Sequence, residues 1–224
     1  MNLILNIDTA VVSASVCLGR DGEPLAQKIN PTQKDHAAWL HTAISELLAG
    51  QGISLSQLDA IAVSAGPGSY TGLRVGMATA KGLCYALKKP LIAINTLEMM
   101  AAGAEEKDGD SLLCPMIDAR RMEVFTAVYR RNGDVLMEPT NLILTEDSYS
   151  HLLQTNRILF FGNGSGKFAP LLSHPHASFQ NREATAEQMA ALSDEKFRQK
   201  QFADLAYTEP FYGKDFYLPG VKPS

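Results

Sequence analysis

The chain has 224 residues, 46% of them hydrophobic, 20% charged and 8% aromatic, and its 20 Lys+Arg against 24 Asp+Glu leave a net charge of −4. These proportions exclude a disordered or fibrous chain, and the acidic balance argues against an autonomous nucleic-acid binder, which carries a strongly basic face. A chain of this length buries about 70% of the surface its unfolded form exposes, so it needs neither metal nor disulfide to fold.

The predicted elements open with a β-meander. Residues 3–8 (LILNID) form a short apolar strand ending on a carboxylate, and residues 13–19 alternate small polar with apolar side chains. Arg20-Asp21-Gly22 is a hairpin signal, and residues 24–30 supply a third strand. Ala37, Leu40, Ala43/Ile44, Leu47 and Leu48 then recur at three- and four-residue steps, which predicts a helix over about 34–49. Thr32 and Asp35 are its candidate caps, and Gly50 and Gly52 punctuate its end. Residues 58–65 read as a buried strand running into Gly66-Pro67-Gly68-Ser69-Tyr70-Thr71-Gly72, and a second helix follows to about Leu87. A strand over 91–94 and a helix from Thr96 to about Ala104 complete the first half.

The polar stretch 103–111 marks the expected boundary between an N-terminal lobe, 1–104, and a C-terminal lobe, 111–224. Beyond it the pattern restarts. A strand over 112–117 ends on Asp118, strands over 122–131 and 135–138 flank the Asn132-Gly133-Asp134 turn, and a helix is predicted near 146–154. A strand over 158–161 feeds Gly162-Asn163-Gly164-Ser165-Gly166, and a last helix spans about 185–200, with Met189, Leu192, Lys196 and Phe197 on one side. The tail from Tyr207, rich in aromatics, Pro and Gly, reads as an irregular segment laid on the body or on a partner. The two halves share an outline without a visible sequence repeat.

Five of the 17 glycines fall within residues 64–82. The segment matches neither the P-loop nor the dinucleotide fingerprint. A close-packing demand explains more: Gly72, Gly76 and Ala80 lie four apart, and Ala78, Gly82 and Ala86 form a second small-residue row. Core packing and a partner face both satisfy that demand. Trp39, the single Trp, lies off the Leu40/Ile44/Leu47 stripe.

Candidates for chemistry are few. Cys17, Cys84 and Cys114 lack metal or redox spacing and are expected to be buried in a reducing compartment. His36 and His41, five apart, fall on different helix faces and cannot chelate as a pair. Asp8 and Asp118, both ending strands, and the turn glycines Gly162 and Gly164 are the weak candidates for holding a nucleotide and its Mg²⁺. No signal peptide or membrane span is visible, so a cytoplasmic protein is expected.

Ile7-Asp8-Thr9, the block from Gly66 to Gly76 (GPGSYTGLRVG) and Asp118-Ala119-Arg120-Arg121-x-Glu123-Val124 together resemble the bacterial TsaB (YeaZ) family across nearly the whole chain. The resemblance implies an α/β, two-lobe actin-like ATPase fold related to sugar kinases and Hsp70, with a duplicated β-meander plus helices. It implies a non-catalytic subunit, without metal or cofactor of its own, that works with a TsaD-like catalytic subunit and a TsaE-like ATPase. Supplied by a threonylcarbamoyl-adenylate synthase, these install threonylcarbamoyl on adenosine 37 of tRNAs reading ANN codons. The tRNA would be met only through the complex.

The resemblance also places a surface, used alternately by a homodimer and by the TsaD-like partner, on the two helices near 34–49 and 72–87. Carried onto this chain, it comprises His36, Trp39, Leu40, Ala43, Leu47, Gly72, Val75, Gly76, Thr79 and Ala80. Gly76→Leu is then expected to abolish partner binding and leave a folded chain. The alternative is an ATP-binding enzyme of the same fold, using Asp8, Asp118 and 162–166.

Overall fold

Alternation along the first strand decides the layout of the first lobe. In β1 (Leu3–Asp8), Leu3, Leu5 and Ile7 point to one face, and Ile4, Asn6 and Asp8 to the other. Because all six are buried, the strand must be covered on both sides. The computed structural model, which describes residues 1–32, 36–104 and 109–213, supplies both covers.

β1 pairs antiparallel with β2 (Ala14–Arg20), which pairs antiparallel with β3 (Glu23–Asn30). After α1 (His36–Gly50) the chain returns to β1's other side as the parallel strand β4 (Ala60–Ser64). It then crosses through α2 (Tyr70–Leu87) to the parallel strand β5 (Leu91–Ile94), giving the order β3-β2-β1-β4-β5. α3 (Thr96–Ala102) leads out of this lobe.

The second sheet repeats the plan. β6 (Leu112–Asp118), β7 (Glu123–Tyr129) and β8 (Val135–Ile143) form an antiparallel meander. α4 (Ser150–Leu153) precedes β9 (Ile158–Phe161), parallel to β6, and α5 (Ser165–Phe168) precedes β10 (Ala177–Gln180), parallel to β9. The duplication lies in connectivity, where right-handed parallel crossovers and short hairpins leave few alternatives.

α1 and α2 cover the outer face of the first sheet, where Leu40, Ile44, Leu47 and Met77 meet Leu5, Ile7 and Val63. α3 and α6 (Met189–Arg198) lie between the sheets, in a core joining Ile4, Ile92 and Met100 to Ile117, Phe125 and Phe161. Phe160, Phe168 and Tyr149 build a separate aromatic cluster on the second sheet's outer face. The expected boundary stretch contains residues 105–108, which lie outside the described residues. After β10 the chain leaves the second sheet, and α6 packs on β1, β2 and β5.

Three elements differ from the sequence expectation. The helix foreseen over 146–154 shrinks to α4, because the Ser148 hydroxyl accepts from the Thr145 amide (3.0 Å) and holds that stretch as a turn. The strand foreseen over 135–138 runs on through Pro139 to Ile143, which an edge strand permits since one side of its ladder is unpaired. β10 was not foreseen: its four residues are too few to show a period.

The tail is laid on the body as far as it is described. Ala203 bonds Leu91 (2.8 Å), Lys81 Nζ donates to the Ala206 and Thr208 carbonyls (3.2 and 3.0 Å), and the Phe211 amide reaches Ala65 O (2.7 Å). Tyr212 stacks at a tilt on Tyr70, with ring centroids 4.8 Å apart.

All three thiols are buried, and burial pushes Cys17 and Cys114 up to about 12 and Cys84 to about 11. A thiol-specific disulfide reagent at pH 8 should therefore label none of them in the folded chain and all three in guanidinium. Rapid labelling of any thiol without denaturant would contradict this packing.

Candidate functional site: the interlobe turns and the outer helical face

Asp8 falls in phase with Ile4 on the inner face of the first sheet, whereas Asp118 falls in phase with Cys114 and Met116 on the outer face of the second. Asp8 is fully buried, and its Oδ1 accepts from the Ser64 hydroxyl (2.6 Å) and the Ala10 amide (2.9 Å). That geometry shapes the turn after β1. Thr9 then donates its hydroxyl to the Gly72 carbonyl (2.7 Å), and the Ser69 amide donates to Ala10 O (2.7 Å). A Cβ at Gly72 would run into the Thr9 carbonyl, and one at Gly76 into the Thr9 hydroxyl. The glycine block therefore receives a loop of its own chain.

The second carboxylate is differently placed. Asp118 Oδ1 accepts from the Arg120 amide and from Lys167 Nζ, both at 2.6 Å, while the Asp118 amide donates to Asn163 Oδ1 (2.9 Å). Partial burial pushes its carboxyl up, but the Lys167 ammonium, the Arg120 amide and the Arg120 charge outweigh burial and hold it below the ordinary carboxylate value. A lowered carboxyl stabilises the fold above its unfolded value and loses that contribution as the pH falls through the folded one. The side chain is 41% exposed, so solvent screens the pair. Lys167→Met should lower the Tm at pH 7 by no more than about 2–4 °C, and the deficit should shrink as the pH falls below the ordinary carboxylate range. A deficit that grows on acidification would contradict the assignment.

The turn after β9 is packed against both α3 and β6. Gly162 holds a φ of 96°, and a Cβ there would meet the Met100 methyl and the Met116 carbonyl. At Gly164 a Cβ would lie 3.1 Å from the Asp118 amide nitrogen. The cavity beside this turn, lined by Val11, Ser13, Met100, Asn163 and Arg182 among others, measures about 20 Å³. That volume holds about one water, far less than a nucleotide. So Asp8, Asp118, Gly162 and Gly164 act in this structure as turn and packing residues.

Most of the residues carried onto the expected partner surface lie beneath α1 and α2 and not on their outer face. Leu40, Ala43, Leu47, Gly76 and Ala80 are buried beneath the helices, and Gly72 and Thr79 are buried with them. Their place is the core, because the 3.6-residue period puts them towards the sheet. Val75 is half-buried and Trp39 likewise. Trp39 lies two turns before Glu46, whose carboxylate holds Lys28 of β3, and packs partly buried against the core beneath α1. His36 begins α1, and its side chain lies outside the described residues.

What α2 exposes is the other small-residue row. Ala78, Gly82 and Ala86 face solvent, flanked by Thr71, Arg74 and Tyr85, the last 81% exposed. Among the described residues, no atom beyond the helix's own backbone lies within 4 Å of a Cβ built on Gly82. Beside this row a groove of about 330 Å³ opens between the helices, lined by His41, Ile44, Ser45, Leu48 and Leu83 with Ile53 and Leu55. The spacing of Ala78, Gly82 and Ala86 was visible in the sequence. Which of two small-residue rows faced outward was not, because Thr9 had to be placed first.

Paired sheets of one connectivity, with helices between and outside them, define a two-lobe α/β protein of the actin-like ATPase class. Two solved structures with low identity share the fold: the 2-hydroxyisocaproyl-CoA dehydratase activator of Clostridium difficile (TM-score 0.52, 7% identity, 89% of this chain and 97% of that one) and component A of the (R)-2-hydroxyglutaryl-CoA dehydratase of Acidaminococcus fermentans (0.53, 10%, 90% and 100%). YeaZ from Pseudomonas aeruginosa is far more similar, with a TM-score of 0.77 at 25% identity over 95% of this chain and 100% of that one. The family model for TsaD, tRNA N6-adenosine threonylcarbamoyltransferase, matches residues 27–204. The tRNA threonylcarbamoyladenosine biosynthesis protein TsaB of Escherichia coli is 31% identical over 93% of each chain, and that of Bacillus subtilis 34% over 71% and 70%. The chain belongs to the TsaB (YeaZ) family.

Proposed function

We propose that this chain is a non-catalytic partner subunit in the synthesis of threonylcarbamoyladenosine at position 37 of tRNAs reading ANN codons. It docks on a TsaD-like catalytic subunit, with a TsaE-like ATPase completing the assembly, and the same face serves a homodimer when the partner is absent. The observation that carries this reading is the outer face of α2 in a chain of this family: exposed Ala78, Gly82 and Ala86 between Arg74 and Tyr85, next to an apolar groove. Small residues at four-residue spacing let a second helix come close, and an exposed Tyr at the border is a common hot-spot side chain. The two-lobe division, with residues 1–104 carrying the docking helices, belongs to the same proposal.

The alternative, an ATP-binding enzyme working between the lobes, would need room at Asp8, Asp118 and residues 162–166. Those positions are filled by the chain's own hydrogen bonds and side chains. Calorimetry with ATP-Mg²⁺ on the purified chain discriminates the two readings. The partner reading expects no micromolar site, and micromolar binding with turnover would overturn it.

A further inference from the structure

The hairpin joining β6 to β7 carries two consecutive non-glycine residues in the left-handed region, Arg120 at φ 69° and Arg121 at φ 51°. Two such residues in succession are unusual for side chains other than Asn, Asp or Gly, and the surrounding structure must hold them there. Here it does. The Ala119 amide bonds Glu123 O (3.0 Å), the Glu123 amide bonds Arg120 O (3.1 Å), and the Arg120 amide is held by Asp118 Oδ1 (2.6 Å). The Leu144 amide anchors the base of the loop on Met122 O (2.7 Å).

Both arginines are exposed, and among the described residues neither guanidinium lies within 4 Å of a carboxylate. The nearby acid, Asp118, is already engaged by Lys167. A chain with net charge −4 thus fixes two adjacent cations on a braced tip, at a backbone cost that Asn or Gly would avoid. Guanidinium forks suit phosphate oxygens, which they bind through paired N–H donors.

We propose that Arg120 and Arg121 form a prong that contacts backbone phosphates of the RNA substrate within the assembly. The inference rests on the partner-subunit reading above. A free nucleotide is a poorer occupant, since both arginines stand on an exposed tip and neither lines the cavity beside Gly162. An acidic protein surface is poorer too, because the prong stands on β6–β7 of the second sheet and not on α1 or α2.

The test uses the chain assembled with its TsaD-like and TsaE-like partners and a transcript of a tRNA reading an ANN codon. Arg120→Asn/Arg121→Gly supplies residues that suit the left-handed backbone, so the isolated chain's Tm should hold or rise by a few degrees. Binding of the transcript, measured over a salt series, should weaken at least about tenfold, and the slope of log K against log salt should flatten by about 1.5. Arg120→Lys/Arg121→Lys should keep most of the slope. An unchanged slope in the Asn/Gly variant overturns the prong. So does loss of co-purification with the TsaD-like subunit, which would reassign the arginines to a protein contact, or a selective loss of ATP binding, which would reassign them to a nucleotide. If the unmodified chain fails to join the TsaD-like subunit, the partner reading falls as well, and the two failures are told apart by that control.

Discussion

Gly72→Ala should destabilise the chain by about 2–4 kcal/mol, a Tm lowered by about 5–15 °C, while Gly82→Ala ten residues further along the same helix should raise it. The two substitutions are chemically identical and their surroundings are opposite. At Gly72 the new methyl falls on the Thr9 carbonyl, a backbone atom held in turn by the Asp8–Ser64 arrangement. At Gly82 it meets nothing among the described residues within 4 Å beyond the helix's own backbone, so only the helix-propensity gain of about 0.5–1 kcal/mol is left. For the same reason Gly76→Leu would drive a large side chain into Thr9, and it is expected to unfold the chain and not to report cleanly on docking. Equal melting temperatures for Gly72→Ala and Gly82→Ala would show that the Thr9 contact is wrong.

The second large effect is expected on docking. Gly82→Arg leaves the interior untouched and places a long cation across the flat row formed by Ala78 and Ala86. Affinity for the TsaD-like subunit should fall at least about tenfold, or about 1.4 kcal/mol, with the Tm of the isolated chain maintained. Tyr85→Ala should weaken binding by a comparable factor if its exposed ring is an anchor. Both are read by calorimetric titration of the two purified subunits. Undiminished binding by both variants would move the docking surface off α2.

Much of the fold was legible because it rests on period and punctuation. The strand alternation around Leu5 and Ile7, the α1 stripe from Leu40 to Leu47 and the Asp-terminated strands in both halves are local signals, and each fell on its element. The lobe architecture was legible through family resemblance, since nothing in local periodicity says that α6 returns to the first sheet. The candidate site was less legible. A helical wheel separates buried from exposed positions only when the sheet's direction is known, and two small-residue rows on α2 gave two solutions. The sequence-based choice fell on Gly72, Gly76 and Ala80, whose smallness answers to Thr9 and the core. Arg120 and Arg121 stood in one of the blocks that carry the family resemblance, but their left-handed backbone left no sequence mark, because an Arg-Arg hairpin tip contradicts turn preference.

In the proposed role the chain enables a reaction that it does not perform. The most direct test of that role is the rate of threonylcarbamoyl incorporation into an ANN-reading tRNA transcript by the TsaD-like subunit, the TsaE-like ATPase and the adenylate synthase, with and without this chain. Incorporation is expected only when the chain is present, at a rate lowered by at least about tenfold when Gly82→Arg replaces it at limiting concentration. Equal incorporation without the chain, or incorporation by the chain in the absence of the TsaD-like subunit, would contradict that role.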